Sequence, residues 1–206
     1  MKYSLCMIVK NEEDVLARCL ESVRDIADEI IIVDTGSTDK TFQIAAQYTP
    51  FVYTFPWIDD FAAARNYSFS KATGDYIFWL DADDILLEKD RIEFLQLKRS
   101  LSFETDMVMM KYNVAFDEEG NPTLSYYRER LVRRSMGYEW MGAVHEVIPQ
   151  AGHVLYSDIA VTHRKLHPSD PDRNLRIFEK LLEKGISLDP RQQYYYGREL
   201  FYHNRW

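Results

Sequence analysis

The 206 residues are 46% hydrophobic and carry a formal net charge of -8. That is ample apolar material for a folded core, which excludes a disordered chain, and the acidic balance argues against a general binder of nucleic-acid backbones. Cys6 and Cys19 lack C-x-x-C spacing, so neither a disulfide framework nor a zinc site is expected, and a reducing cytoplasm fits best. Leu5-Cys6-Met7-Ile8-Val9 is too short for a signal-peptide core, and no window approaches the apolar length of a membrane span. Stable membrane insertion is therefore not expected; work at a membrane would be peripheral, at its inner face.

In chain order, Ser4 to Val9 is a near-continuous apolar run that predicts a buried strand. Glu12 to Arg24 then places Val15, Leu16, Cys19, Leu20 and Val23 at helical spacing. A second strand, Glu29 to Asp34, ends in the hydroxyl-rich turn Asp34-Thr35-Gly36-Ser37-Thr38-Asp39, and a helix follows through Tyr48. Phe51 to Phe55 predicts a third strand closed by Pro56, and Asp59 opens a helix toward Lys71. Tyr76-Ile77-Phe78-Trp79-Leu80 predicts a fourth strand buried on both faces, ending in Asp81-Ala82-Asp83-Asp84. This alternation favours an α/β architecture with a parallel sheet.

After residue 101 the pattern becomes strand-rich, with strands over 106–116, 123–134 and 153–163 and a turn at Glu118 to Pro122. The arginines of the second of these, Arg128, Arg130, Arg133 and Arg134, read by default as the solvated charge of an edge strand. Asp170-Pro171-Asp172 opens a helix with Leu175, Phe178, Leu181 and Leu182 on one face. Leu188-Asp189-Pro190 opens another, rich in aromatics, which either packs back on the domain or begins a helical-hairpin repeat.

Three carboxylates at the end of a buried strand repel one another, so they call for a cation or a wet cleft; the plain alternative is that Asp83 or Asp84 caps a helix over 87–101. The loop from Asp34 to Lys40 matches neither a P-loop nor a dinucleotide fingerprint. A diphosphate bound here would need its positive charge from elsewhere, and a divalent metal held by Asp83, with Asp81 nearby, supplies it.

Four motifs in this order, Ser4 to Glu13, Ile32 to Asp39, Phe61 to Asn66 and Asp81-Ala82-Asp83, together with Trp140 to Glu146, resemble family 2 glycosyltransferases of the GT-A fold. The resemblance covers roughly the first 165 residues and is nearest to bacterial members with a tetratricopeptide-like helical tail. It implies a Rossmann-like mixed sheet flanked by helices over residues 1–168, with 169–206 as a helical segment that could recruit a protein partner. It also implies an inverting transfer from a nucleotide-diphosphate sugar, with a UDP-sugar favoured, aided by Mn2+ or Mg2+. The acceptor, whether saccharide, lipid-linked glycan or peptide, stays open.

Carried onto this chain, the backbone around Val9 and the side chains of Asn11 and Glu13 would border the nucleoside, Asp34 would bond the base, and Ser37 lies in the adjoining loop. Arg65 would approach the diphosphate. Asp81, with Ala82 beside it, would face the ribose and Asp83 would hold the metal, joined by His163 or, alternatively, His167. A base outside the metal cluster is needed for inversion. Glu146 is the candidate, with His145 as alternative and pairing of Glu146 to one of the arginines on the preceding strand as the plain reading. The rivals in function are a sugar nucleotidyltransferase, which should carry a basic glycine-rich loop where Lys10-Asn11-Glu12-Glu13 stands, and a non-catalytic nucleotide-sugar-binding scaffold.

Overall fold

A computed structural model describes residues 1–168 and 170–205. Ser169, at the expected domain boundary, and Trp206 fall outside the described residues. The elements run β1 (Tyr3–Val9), α1 (Leu16–Ser22), β2 (Glu29–Asp34), α2 (Thr41–Tyr48), β3 (Val52–Thr54), α3 (Phe61–Phe69), β4 (Tyr76–Trp79) and β5 (Asp84–Leu86). They continue with α4 (Glu88–Ser100), β6 (Met107–Phe116), β7 (Pro122–Arg133), β8 (Val154–His163), α5 (Arg173–Glu183) and α6 (Pro190–Tyr202).

The described strands form one mixed sheet in the order β3-β2-β1-β4-β7-β6-β8-β5. The first four by position are parallel, as the apolar runs of β1, β2 and β4 predict, because a strand covered on both faces has no polar alternation to keep. Leu5, Met7, Phe78 and Val108 pack on one side of the sheet, and Cys6, Ile77, Trp79 and Met109 on the other. The entry into β4 is crowded: a Cβ on Gly74 would stand 2.7 Å from Lys2 O and 2.7 Å from Ser4 Oγ, so only glycine fits there.

Three local expectations need correction. β7 is not an edge strand; it lies between β4 and β6, and Arg130 is 1% exposed. Arg130 therefore serves the interior, for reasons given below, while Arg128 and Arg133 are half-buried and Arg134 is exposed. α1 begins at Leu16, since Glu12 to Val15 form a turn whose carbonyl at Glu12 accepts from the N–H groups of Val15 and Leu16. Neither Asp83 nor Asp84 caps α4: Leu87 occupies that position, and Asp84 opens β5, a short strand that the sequence reading did not anticipate, paired antiparallel with β8.

The two C-terminal helices pack back on the domain. Ile177 and Phe178 of α5 join Ala143, Val144 and Leu188 in a third core, with Trp57, Phe61, Tyr195 and Tyr196 around it. Leu175 and Phe178 face inward as expected, but Ile177 is buried while Leu182 is 43% exposed. Asp189 and Gln192 form a reciprocal capping box with Pro190 in the first turn of α6, so this helix start is specified locally.

Candidate functional site

The carboxyl ends of β1, β2 and β4 lie side by side, so the loops that leave them are neighbours. Asp34 ends β2 with its side chain turned back into its own loop, where Oδ1 accepts from the N–H groups of Gly36 and Ser37, both at 2.7 Å. Its other oxygen, Oδ2, is buried and has no partner. A buried acceptor left empty costs free energy, so this oxygen marks a place where a ligand donor fits. Asn11, Glu13 and Ser37 are spent differently. Asn11 Oδ1 accepts from Thr38 N at 2.8 Å, its own N–H donates to Ser37 Oγ at 3.0 Å, and Glu13 Oε2 accepts from Lys40 N at 2.9 Å. Those contacts lace the β1 loop to the β2 loop. Val9 is buried, and its carbonyl accepts from both the N–H and the hydroxyl of Thr35.

Beyond β4, Asp83, Asp84 and His163 converge with all three ligand atoms within 4.8 Å of one another. β5 and β8 bring this about, because Asp84 and His163 are register partners. His163 Nδ1 lies 3.5 Å from Asp83 Oδ1, 3.3 Å from Asp84 Oδ1 and 2.9 Å from the Tyr112 hydroxyl. Its bond to Asp84 raises the imidazole pKa, against the opposing effect of burial. Burial pushes Asp83 upward too; His163 offsets part of this, while Asp81 and Asp84 add to it. Asp84 has no exposure, and it is the most heavily bonded of the group: Tyr112 donates to Oδ1 at 2.8 Å, and Arg130 Nη1 and Asp81 N donate to Oδ2 at 3.1 Å each. Arg130 is clamped between the rings of Trp79, 3.8 Å from its guanidinium carbon, and Tyr112, at 4.4 Å. The positive charge on β7 is thus the internal counter-ion of the acids, which is why it sits on a central strand.

Asp81 stands outside that triad. Its Oδ1 accepts from Arg65 Nη2 at 2.7 Å, and Arg65 Nε donates to Glu146 Oε1, also at 2.7 Å. Burial opposes ionisation of Asp81, but Arg65 and Arg130 more than offset it and hold the carboxyl well below its usual range. Arg65 is buried, with its guanidinium carbon 4.9 Å from the Trp79 ring centroid and 4.8 Å from that of Trp140. One arginine on α3 therefore fixes both the acid at the end of β4 and the acid in the 140–147 loop.

That loop is not a strand. A single bridge between Met141 and Val147 closes it, and His145 adopts the left-handed region with φ 53°. The kink sends the two candidate bases in different directions. Glu146 goes to Arg65, while His145 stacks on Tyr195 of α6 at 4.2 Å and its Nε2 lies 3.0 Å from Glu199 Oε1.

Comparison with known proteins settles the family. Residues 4–152 match the profile described as glycosyl transferase family 2. The chain belongs to that family. A Bacillus subtilis relative, the SPbeta prophage-derived glycosyltransferase SunS, is 30% identical over 94% of this chain and 48% of its own length. A TPR repeat-containing protein of Synechococcus elongatus is 51% identical over 41% of this chain and 21% of its own length. The chain thus spans half or less of these two curated relatives.

Among solved structures, glucosyl-3-phosphoglycerate synthase from Mycobacterium tuberculosis, in complex with Mn2+ and UDP-glucose, superposes with a TM-score of 0.58 at 16% identity, covering 91% of this chain and 80% of that one. TarS 1-349 of S. aureus gives 0.56 at 14% identity, covering 97% and 68%. The fold is accordingly the GT-A fold.

As a family 2 chain, the molecule joins Asp81 and Glu146 through Arg65 and sets Asp83 beside His163, with the adjoining Ala82 buried. It leaves His167 apart, 70% exposed and bonded to Asp14 at 2.9 Å. His145 belongs to the contact with α6. The acids of the site also neighbour Tyr112 and Glu12, to which the motifs assign no role, and Asp84, which the sequence presents as one of three clustered carboxylates or as a helix cap. Burial and the charges of Asp83, Asp81 and Asp39 push the Glu12 carboxyl up to about 7. Asp84 and Glu12 each adjoin residues that were singled out, so the signal was there as runs of acid; nothing local distinguishes Tyr112 from a core aromatic.

Proposed function

We propose that this domain, residues 1–168, transfers a sugar from a UDP-sugar to an acceptor nucleophile with inversion, and that residues 169–206 form a helical segment docked on it. The observation that carries the reading is the Arg65 bridge between Asp81 and Glu146 beside Asp83 and His163. It joins a carboxylate suited to the donor with one suited to the acceptor through a single buried cation.

Support for the donor comes from Asp34. Its unpartnered Oδ2 fits the imino N–H of uracil, and the mycobacterial synthase of the same fold binds UDP-glucose with Mn2+. The oxygen and imidazole donors of Asp83, Asp84 and His163 fit a divalent cation, and a mixed O,N set favours Mn2+ over Mg2+. When bound, such an ion supplies positive charge to the departing diphosphate. Asp83 and His163 would hold it, with Asp84 oriented for it by Arg130 and Tyr112.

Glu146 does the acid–base work. Oε1 is held by Arg65, which leaves Oε2 to take the proton as the acceptor atom bonds to the anomeric carbon and the bond from that carbon to the diphosphate breaks. Arg65 keeps its charge, since the two carboxylates more than offset the cost of its burial, and so Glu146 is oriented before the acceptor arrives. The test is direct. The protein with Mn2+ and a panel of UDP-sugars should slowly release UDP, and proton NMR on the first-formed sugar should show the inverted anomer. No release from any donor, or retention at the anomeric carbon, would overturn the reading.

A further inference from the structure

Glu129 of β7 is a carboxylate with 3% exposure that neither the metal nor the proton transfer uses. It accepts from Arg128 Nε at 3.3 Å and from Arg128 Nη2 at 3.1 Å, and its Oε1 takes a third bond from Ile148 N at 3.3 Å. Arg128 Nη2 also donates to the backbone carbonyl of Glu146 at 3.4 Å. One ion pair on the sheet thus touches the main chain on both sides of Val147.

Neighbours on a regular strand point to opposite faces, so an arginine and a glutamate in succession would not meet. β7 is irregular here. Val108 pairs with Leu131 and Met109 with Glu129, which leaves Arg130 as an extra residue, and such a bulge re-aims the side chains around it. Arg130 goes to Asp84, while Arg128 and Glu129 go to the loop. The Arg128 guanidinium carbon lies 5.0 Å from the ring centroid of Trp79, the ring that Arg65 and Arg130 also contact. Burial opposes its charge, and the carboxylates of Glu129 and Glu146 more than offset this.

A buried ion pair is often no more stabilising than apolar side chains of the same volume, so stability is weak ground for this one. Position is better ground. The loop is closed by the single bridge from Met141 to Val147 and kinked by the left-handed His145, and Arg65 holds only the carboxylate of Glu146. We propose that Arg128 and Glu129 are positioning residues that clamp the main chain over 146–148 and so set where the free oxygen of Glu146 meets the acceptor. The clamp rests on the reading of Glu146 as the base. A shift of about 1 Å at a reacting atom can cost about a hundredfold in rate, so a loosened clamp is felt in turnover before it is felt in binding.

The experiment is a double-mutant cycle on kcat for release of UDP, with Mn2+ and whichever of UDP-glucose, UDP-galactose and UDP-N-acetylglucosamine turns over fastest. Glu129→Gln sets an amide NH2 against the Arg128 fork, and Arg128→Lys keeps the charge but cannot span Glu129 and the Glu146 carbonyl. Each should lower kcat about tenfold with the donor KM held within about twofold, and neither should lower it further in the Glu146→Gln background, where the clamp has no base to aim. Arg128→Lys serves should Glu129→Gln fail to fold. Unchanged kcat in both variants, or losses that multiply with that of Glu146→Gln, overturns the proposal and leaves the base in place. Normal turnover by Glu146→Gln, or none by the wild type, refutes the base itself, and the clamp with it.

Discussion

His145 Nε2 lies 3.0 Å from Glu199 Oε1, while the ring of the same histidine stacks on Tyr195, so the last helix grips the residue next to Glu146. Glu199 is 8% exposed and also accepts from Asn174 Nδ2 at 3.2 Å, and Arg191 donates to the His145 carbonyl at 3.3 Å. The helical segment is thereby a support for the loop that carries the proposed base. Replacing Glu199 with Ala should leave Asn174 and His145 without their shared acceptor and lower kcat about tenfold, with the KM for the donor nearly unchanged, because Asp34 and Asp83 are untouched. A variant that raises donor KM instead would place the effect elsewhere.

Glu146→Gln keeps the shape of the side chain and removes the proposed base. Transfer should drop by about a hundredfold or more, the scale of lost general-base catalysis, while UDP binding holds. Near-normal turnover would move the proton to another group or to an acceptor that arrives ionised.

The neighbouring acids Asp83 and Asp84 should behave oppositely when removed. Asp83 has a side chain 19% exposed, and its loss should abolish the Mn2+-dependent rise in Tm given by UDP without unfolding the chain. Asp84→Ala strands the charge of Arg130, whose Nε and Nη2 already lack partners in the interior. That should cost about 3–5 kcal/mol of stability, measurable by urea titration in the absence of any ligand.

Acid should loosen the base of the sheet through Glu29. Burial opposes its ionisation, but the Ser4 hydroxyl at 2.5 Å, both donors of Thr73 and the charge of Lys2 more than offset this, and the folded pKa is lowered. The unfolded value is about 4.3, so the stabilisation is complete above it and is lost as pH falls through the folded value. Thermal melts of Glu29→Gln should therefore lie below the wild type at pH 7 and converge with it toward pH 3. A gap that stays constant over that range would mean the carboxylate charge contributes nothing.

Gly74→Ala should be strongly destabilising, since the added methyl meets the Lys2 carbonyl, which cannot retreat without breaking its bonds to Asp75 and Tyr76. Melting temperature alone checks this.

The apolar runs of β1, β2 and β4 were legible in the chain because a strand buried on both faces must be apolar at every position. The acids after β4 were legible because like charges at the end of a buried strand repel and call for a cation or water, and the structure removes the helix-cap alternative. Asp34, Arg65, Asp81, Asp83 and Glu146 could be named from local motifs in their order. What local sequence could not contain was pairing across distance. That β7 is central, and Arg130 internal, depends on pairing with β4, more than 50 residues earlier in the chain. That Asp84 joins His163 depends on a three-residue strand too short to carry any period. The partner of Glu146 proved to be Arg65 of α3 rather than an arginine of the preceding strand, and His145 was drawn to α6 by its positive φ. These are choices among several nearby charges, and only the packing of distant elements, which sets which of them are within 3 Å, decides between them.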